Sequence, residues 1–207
     1  MTTATATIRI VPAPETAPGL PRQVIADRGS WAMAMFIATE AALFVCLFFA
    51  YYYLGHLATK WPPEPPKWPL AIVMLVILAT SSGVLHWGER RAAHGSVAQA
   101  RAGAGLTALM GLGFLGLQVL EFREHLQTLR PTSNAYGSIF YTITSFHAAH
   151  VALGVLMLAF VVVLPDITDA SKPPHRPLHN AAMYWHFVDL VWLLIVGLLY
   201  VAPNLRG

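Results

Sequence analysis

The sequence is short of charge. Only 11% of its 207 residues are Asp, Glu, Lys or Arg, and 56% are hydrophobic. A soluble domain carries about 25% charged residues. A fold this poor in charge could not cover its own surface in water, which excludes an ordinary soluble protein. Cysteine is nearly absent: Cys46 is the only one. A lone cysteine forms no intrachain disulfide and no zinc motif, and within an apolar run it reads as a small buried hydrophobe. The net charge of +3 is small, and the basic residues are scattered. No basic stripe of the kind that tracks a phosphate backbone is present, which argues against a nucleic-acid partner. No Walker or dinucleotide pattern occurs, and no internal repeat or second domain is evident. Residues 1–25, rich in Thr, Ala and Pro, contain no apolar core of a signal peptide. They are expected to form a disordered N-terminal tail.

What the sequence does have is apolar length. Five segments stand out, at about 31–54, 70–87, 103–122, 136–164 and 181–202. About 20 apolar residues cross a bilayer as a helix, and backbone groups in lipid must be satisfied within the segment. Residues 26–207 therefore read as an all-α, polytopic bundle of five transmembrane helices. The gaps KWPPEPPKWP, ERRAAHGSVAQARAG, EFREHLQTLRPTSN and SKPPHRPLHN read as loops, although the first half of the third can extend its helix. With the N-terminus cytoplasmic, eight Lys and Arg fall inside and five outside. That bias predicts a cytoplasmic N-terminus and an external C-terminus.

Ionisable groups inside such segments are costly, so each is a functional candidate. Glu40 lies nine residues after Trp31, roughly 13 Å into the core. It is either a carboxyl that handles protons or binds a partner group, or a neutral carboxyl bonded to another helix. Glu121 and His125 lie four apart near the end of the third segment, as an interfacial hydrogen-bonded pair. His147 and His150 lie three apart on a face shared with Thr144 and Gly154. Two histidines at this spacing supply at most two metal ligands, so hydrogen bonding between helices weighs more than a metal or haem site. His186 and Asp189, also three apart, suit a proton relay, a ligand site or a polar clasp between helices, with the clasp favoured. Gly103, Gly105, Gly111, Gly113 and Gly116 suggest a close helix-packing face.

Four stretches together resemble the haem–copper oxidase subunit III family. FIATEAALFVCLFFAYY resembles the segment holding the family's membrane-embedded glutamate, here Glu40. TSSGVLHWGERRAAHG resembles the next helix and its basic exit. YGSIFYTITSFHAAHVALG resembles the segment with two histidines three apart, His147 and His150. AAMYWHFVDLVWLLIVGLLY resembles the last helix, with a Tyr-Trp-His-Phe-Val-Asp run as the most specific motif. Order and spacing also agree, from about residue 26 to 203.

The resemblance implies an accessory, non-redox subunit of a proton-pumping cytochrome c oxidase. Such a subunit packs against subunit I, with subunit II in the same complex, and supports proton uptake and the stability of subunit I. It implies no catalytic residue and no metal in this chain, with haem and copper in the partner subunits. Glu40 would be the reactive carboxyl; Glu121, His125, His147, His150, His186 and Asp189 would be proton-related or buried polar groups. The expected location is the bacterial-type inner membrane. Many members have seven helices and hold lipids in a cleft beside the first two. Those two lie outside the resemblance, so bound phospholipid stays an open expectation. The rivals are a subunit-III-like protein of a nitric oxide reductase system and a free-standing haem- or metal-binding membrane protein.

Overall fold

A computed structural model describes residues 22–63, 66, 68–126, 129–163 and 176–206. The elements are α1 (Arg22–Leu57), α2 (Trp68–Ala93), α3 (Val97–His125), α4 (Ala135–Val163) and α5 (Arg176–Ile195). A π-helical turn, Val196–Val201, continues α5 into the short α6 (Ala202–Arg206). Among the described residues five helices are long and apolar enough to cross a membrane, and none forms a strand. The expected all-α, five-span bundle is borne out. Most of the expected N-terminal tail, and the first half of the expected loop SKPPHRPLHN, lie outside the described residues; the second half, Arg176 to Asn180, is not loop but the first turn of α5.

Four of the five helices outrun their apolar segments, and α4 matches its own. Spans of 26 to 29 residues measure roughly 40 Å, against a hydrocarbon core of about 30 Å. The 15-residue gap read as the loop between the second and third segments is mostly helix, because backbone pairing continues into the headgroup region. The turn proper is His94, Gly95 and Ser96. Gly95 takes φ +80°, the left-handed geometry that closes a helix C-terminus. Ser96 N–H then donates to the Arg91 carbonyl (3.0 Å) and Gly95 N–H to that of Ala92 (2.9 Å). At the start of α4, the Asn134 side chain accepts from Gly137 N–H at 2.7 Å, an N-cap that satisfies a free donor.

Helices α2, α3, α4 and α5 form a closed four-helix ring, and α1 lies outside it against α4 and α5. Burial follows this arrangement: in an apolar 18-residue stretch of each span, half of α5 is buried, against 11% of α1. Trp185 of α5 is the centre of the ring and fully buried. Its ring occupies room left by two glycines. A Cβ on Gly111 would come within 2.6 Å of it, and one on Gly154 within 2.8 Å. Its indole N–H donates to Ser81 Oγ of α2 at 2.9 Å. One side chain thus contacts all three other helices of the ring. Gly88 and Gly103 bring the backbones of α2 and α3 together, where a Cβ on Gly103 would meet Gly88 Cα at 2.9 Å. The expected glycine face is narrower than the composition of α3 suggests. A Cβ on Gly113 or Gly116 would meet nothing within 4 Å, so these two lie off that face.

Cys46 departs from expectation. It is exposed on α1, because α1 buries only the stripe that carries Phe44 and Tyr51. An apolar neighbourhood in sequence does not mean an interior position when the solvent itself is apolar.

Candidate functional site

The intramembrane polar residues form three groups, each joining helices distant in sequence. The first links α1 to α4. His150 Nδ1 donates to the Phe146 carbonyl one turn back, at 2.6 Å. A carbonyl only accepts, so Nδ1 carries a hydrogen. The other nitrogen, Nε2, lies 2.8 Å from Glu40 Oε2. One proton shared across that contact satisfies both groups, whether it rests on the carboxyl or on the imidazole. The side chains are 23% (Glu40) and 11% (His150) exposed, so the pair sits at the rim of the bundle rather than sealed inside it. Phe44 and Tyr184 wall the imidazole.

His147 points elsewhere. It is wholly buried, its ring stacks on Trp192 at 4.8 Å, and Phe114 packs edge-on at 5.5 Å. Its Nε2–H donates to the Val188 carbonyl at 3.2 Å. Thr144 on the same helix returns its hydroxyl to the Phe140 carbonyl. The two histidines of α4 thus do not converge on one point, although three residues apart they lie on the same side of the helix.

The second group links α2 to α5. Ser82 Oγ accepts from His186 Nδ1 at 2.8 Å and donates a short hydrogen bond to Asp189 Oδ2. His186 and Asp189 are joined through this hydroxyl. Asp189 Oδ1 is buried without a hydrogen-bond partner among the described residues. Toward the α2–α3 turn, Glu89 lies 3.1 Å from His179 and 3.9 Å from His86.

The third group lies near the far end of α3. Tyr200 donates to Glu121 Oε1 at 2.8 Å, and Gln118 Nε2 donates to Oε2 at 2.9 Å. Glu121 is only 1% exposed, so the expected interfacial pairing with His125 needs correction. His125 Nδ1 donates to the Glu121 backbone carbonyl at 3.1 Å, not to the carboxyl. Glu121 instead turns inward to Tyr200, in the π-helical turn that widens α5 at this level.

Sequence reasoning passed over Ser81, Ser82, Gln118, Tyr200 and the Glu89–His179 contact. A signal existed for the serines. Thr80, Ser81 and Ser82 interrupt an otherwise apolar span, and clustered hydroxyls in lipid mark helix contacts. Nothing in the sequence marks Tyr200 as the donor to Glu121.

Among the described residues no group of three or more His, Cys, Asp or Glu side chains is placed to hold a metal ion. The fold and these contacts define a polytopic membrane helix bundle whose polar side chains join one helix to another. The profile of the family described as cytochrome c oxidase subunit III matches residues 2–203. Among curated relatives named cytochrome c oxidase subunit 3, that of Thermostichus vulcanus is 34% identical over 174 residues, covering 82% of this chain and 85% of the relative. That of Synechocystis sp. is 34% identical, covering 84% and 76%. That of Bacillus subtilis is 29% identical, covering 90% and 93%. The chain belongs to the cytochrome c oxidase subunit III family, the non-redox accessory subunits of haem–copper oxidases.

Proposed function

We propose that this chain seats against the haem- and copper-bearing subunit I of a respiratory oxidase, with subunit II in the same assembly. Its N-terminus faces the cytoplasm, and the Glu40–His150 pair is its proton-related element. The observation that carries this reading is the hydrogen-bonding contact at 2.8 Å between Glu40 and His150. An ionisable pair at the rim of a membrane bundle is costly unless it serves a function or a partner. The lysine and arginine balance of the loops supports the orientation.

Affinity purification through a tag on this chain tests the assembly. A haem-containing subunit I and a subunit II are expected in stoichiometric amount, with oxygen reduction by the purified complex. Purification without a haem protein, or with nitric oxide reduction alone, overturns it. Within the complex, Glu40→Gln is expected to leave assembly intact while slowing proton uptake or shortening the turnover lifetime. An unchanged proton-to-electron ratio together with an unchanged inactivation rate removes Glu40 from that role.

A further inference from the structure

The end of the bundle where α1 stops holds a cavity that lies outside the three polar groups. Its volume is about 220 Å³. Helix α1 contributes Tyr51, Tyr52, Gly55 and His56 to its wall, the following loop contributes Trp61, and the π-helical turn and α6 complete it. The wall depends on a missing side chain. A Cβ on Gly55 would lie 2.8 Å from Trp61 Cδ1, so glycine is what lets the indole lie against α1. The Trp61 ring then sits 5.3 Å from the Tyr51 ring and at 63° to it. Tyr52 stands at 81° to Tyr51, with 5.8 Å between centroids. Trp61 and Tyr52 are each steeply inclined to Tyr51, so the rings form a corner and not one flat stack. Asn204 of α6 ties the loop down by donating to the Pro66 carbonyl at 3.3 Å.

Depth and charge narrow the ligand. The α1 span, Gly29–Leu57, has 29 residues. That is about 43 Å of helix, so its ends stand beyond a hydrocarbon core of about 30 Å. Tyr52 and His56 lie in its last two turns, and α6 carries the end of the α5 span at Asn204. The cavity is therefore at headgroup level, not among acyl chains. Among the described residues that line it there is no Lys, Arg, Asp or Glu. An anion finds no cationic partner there, and a small metal ion finds no carboxylate to replace its water. Aromatic faces carry negative quadrupole charge. A methylated ammonium has no N–H to satisfy and holds water weakly, and it is the cation that cages of Trp and Tyr bind. The indole nitrogen of Trp61 is buried, so a ligand meets that ring through its carbon atoms and not through a hydrogen bond. Single waters take about 30 Å³ each in the liquid, so the cavity has room for a whole trimethylammonium group.

We infer that this cavity binds a trimethylammonium group, held by Trp61 and Tyr52 with Tyr51 packed against both. A choline lipid headgroup and a free choline-type solute offer the same chemistry. The site does not depend on the oxidase assembly, because every residue in its wall belongs to this chain.

Isotope-edited saturation-transfer NMR with methyl-labelled choline tests it. The sample is the full chain, with the subunits that purify with it, in nanodiscs of phosphatidylglycerol. Choline is expected to bind, and its uncharged tert-butyl isostere, dimethylbutanol, to bind about tenfold more weakly. Trp61→Leu is expected to weaken choline by about tenfold, and Trp61→Phe, which keeps a ring, to recover part of that loss. Tyr52→Leu, at a half-exposed position, is expected to weaken it by about threefold; this variant keeps the test decisive if Trp61→Leu does not fold. Repeating the titration in phosphatidylcholine nanodiscs separates the two sources. A choline signal that disappears there identifies the lipid headgroup as the occupant, and one that persists identifies a soluble solute; both support the site. No choline signal in phosphatidylglycerol, equal binding of the isostere, or unchanged binding in the leucine variants overturns it.

Discussion

Glu40 and His150 lie 110 residues apart in the chain and 2.8 Å apart in space. The contact has a fixed polarity on one side, because the Phe146 carbonyl holds the hydrogen on His150 Nδ1. Glu40→Ala is expected to destabilise the docking of α1 on α4, and a double-mutant cycle with His150→Ala should return a coupling of about 0.6–2 kcal/mol. Reversible unfolding in detergent measures it. A coupling of zero means that the two groups act independently and that the shared proton is not a structural link.

The room around Trp185 is the next place where the packing makes a sharp demand. Gly111→Ala and Gly154→Ala each place a methyl within 3 Å of the indole or its neighbours. Each should cost about 1–3 kcal/mol through overpacking. Gly113→Ala, on the same helix as Gly111 but with nothing within 4 Å, should be neutral or slightly stabilising, since alanine favours the helix by roughly 1 kcal/mol. The melting temperatures of the three purified variants check the contrast.

Tyr200→Phe removes the donor from Glu121 Oε1 and keeps the ring. A buried acceptor left without its partner costs about 1–3 kcal/mol. Glu121→Gln keeps an acceptor for Tyr200 and should cost less. Thermal unfolding that ranks the variants in the reverse order would show that Glu121 is satisfied from elsewhere.

Ser82→Ala disconnects His186 from Asp189, whereas Ser82→Thr retains the hydroxyl. The alanine variant is expected to lose stability and the threonine variant to recover most of it. Equal stability of the two would show that the hydroxyl is not the link between them.

The histidines of the isolated chain should bind no haem. His150 uses both nitrogens within the bundle, and His147 commits Nε2 to Val188. The purified single chain should lack a Soret band before and after incubation with haem. A Soret band that disappears in His147→Ala or His150→Ala would restore the haem-binding reading.

Legibility divides along a physical line. Burying a run of apolar residues in hydrocarbon is a local property, and each helix closes its own backbone hydrogen bonds. The five spans are therefore readable one at a time, and only their ends are not, where helix continues past the apolar run through Ala93 and from Val97. The same local reading locates the polar candidates but not their partners. Glu121 and His125 share a helix face, which predicts a pair, yet Glu121 is bonded to Tyr200, 79 residues away. His147 and His150 share a face too, yet one serves Val188 and the other Glu40.

The amino-acid sequence by itself determined that this chain crosses a membrane five times, which family it resembles, and which residues would be expensive there. Only the tertiary structure decided that Glu40 belongs to His150, that Ser82 stands between His186 and Asp189, and that α1 stays outside the four-helix ring. The reason is that lipid is as apolar as leucine. Hydrophobicity drives each helix into the bilayer but does not select its neighbour. Selection falls to shape and hydrogen bonds, such as the glycine-made space for Trp185 and the Glu40 carboxyl that His150 meets on α1, and these exist only between helices already side by side.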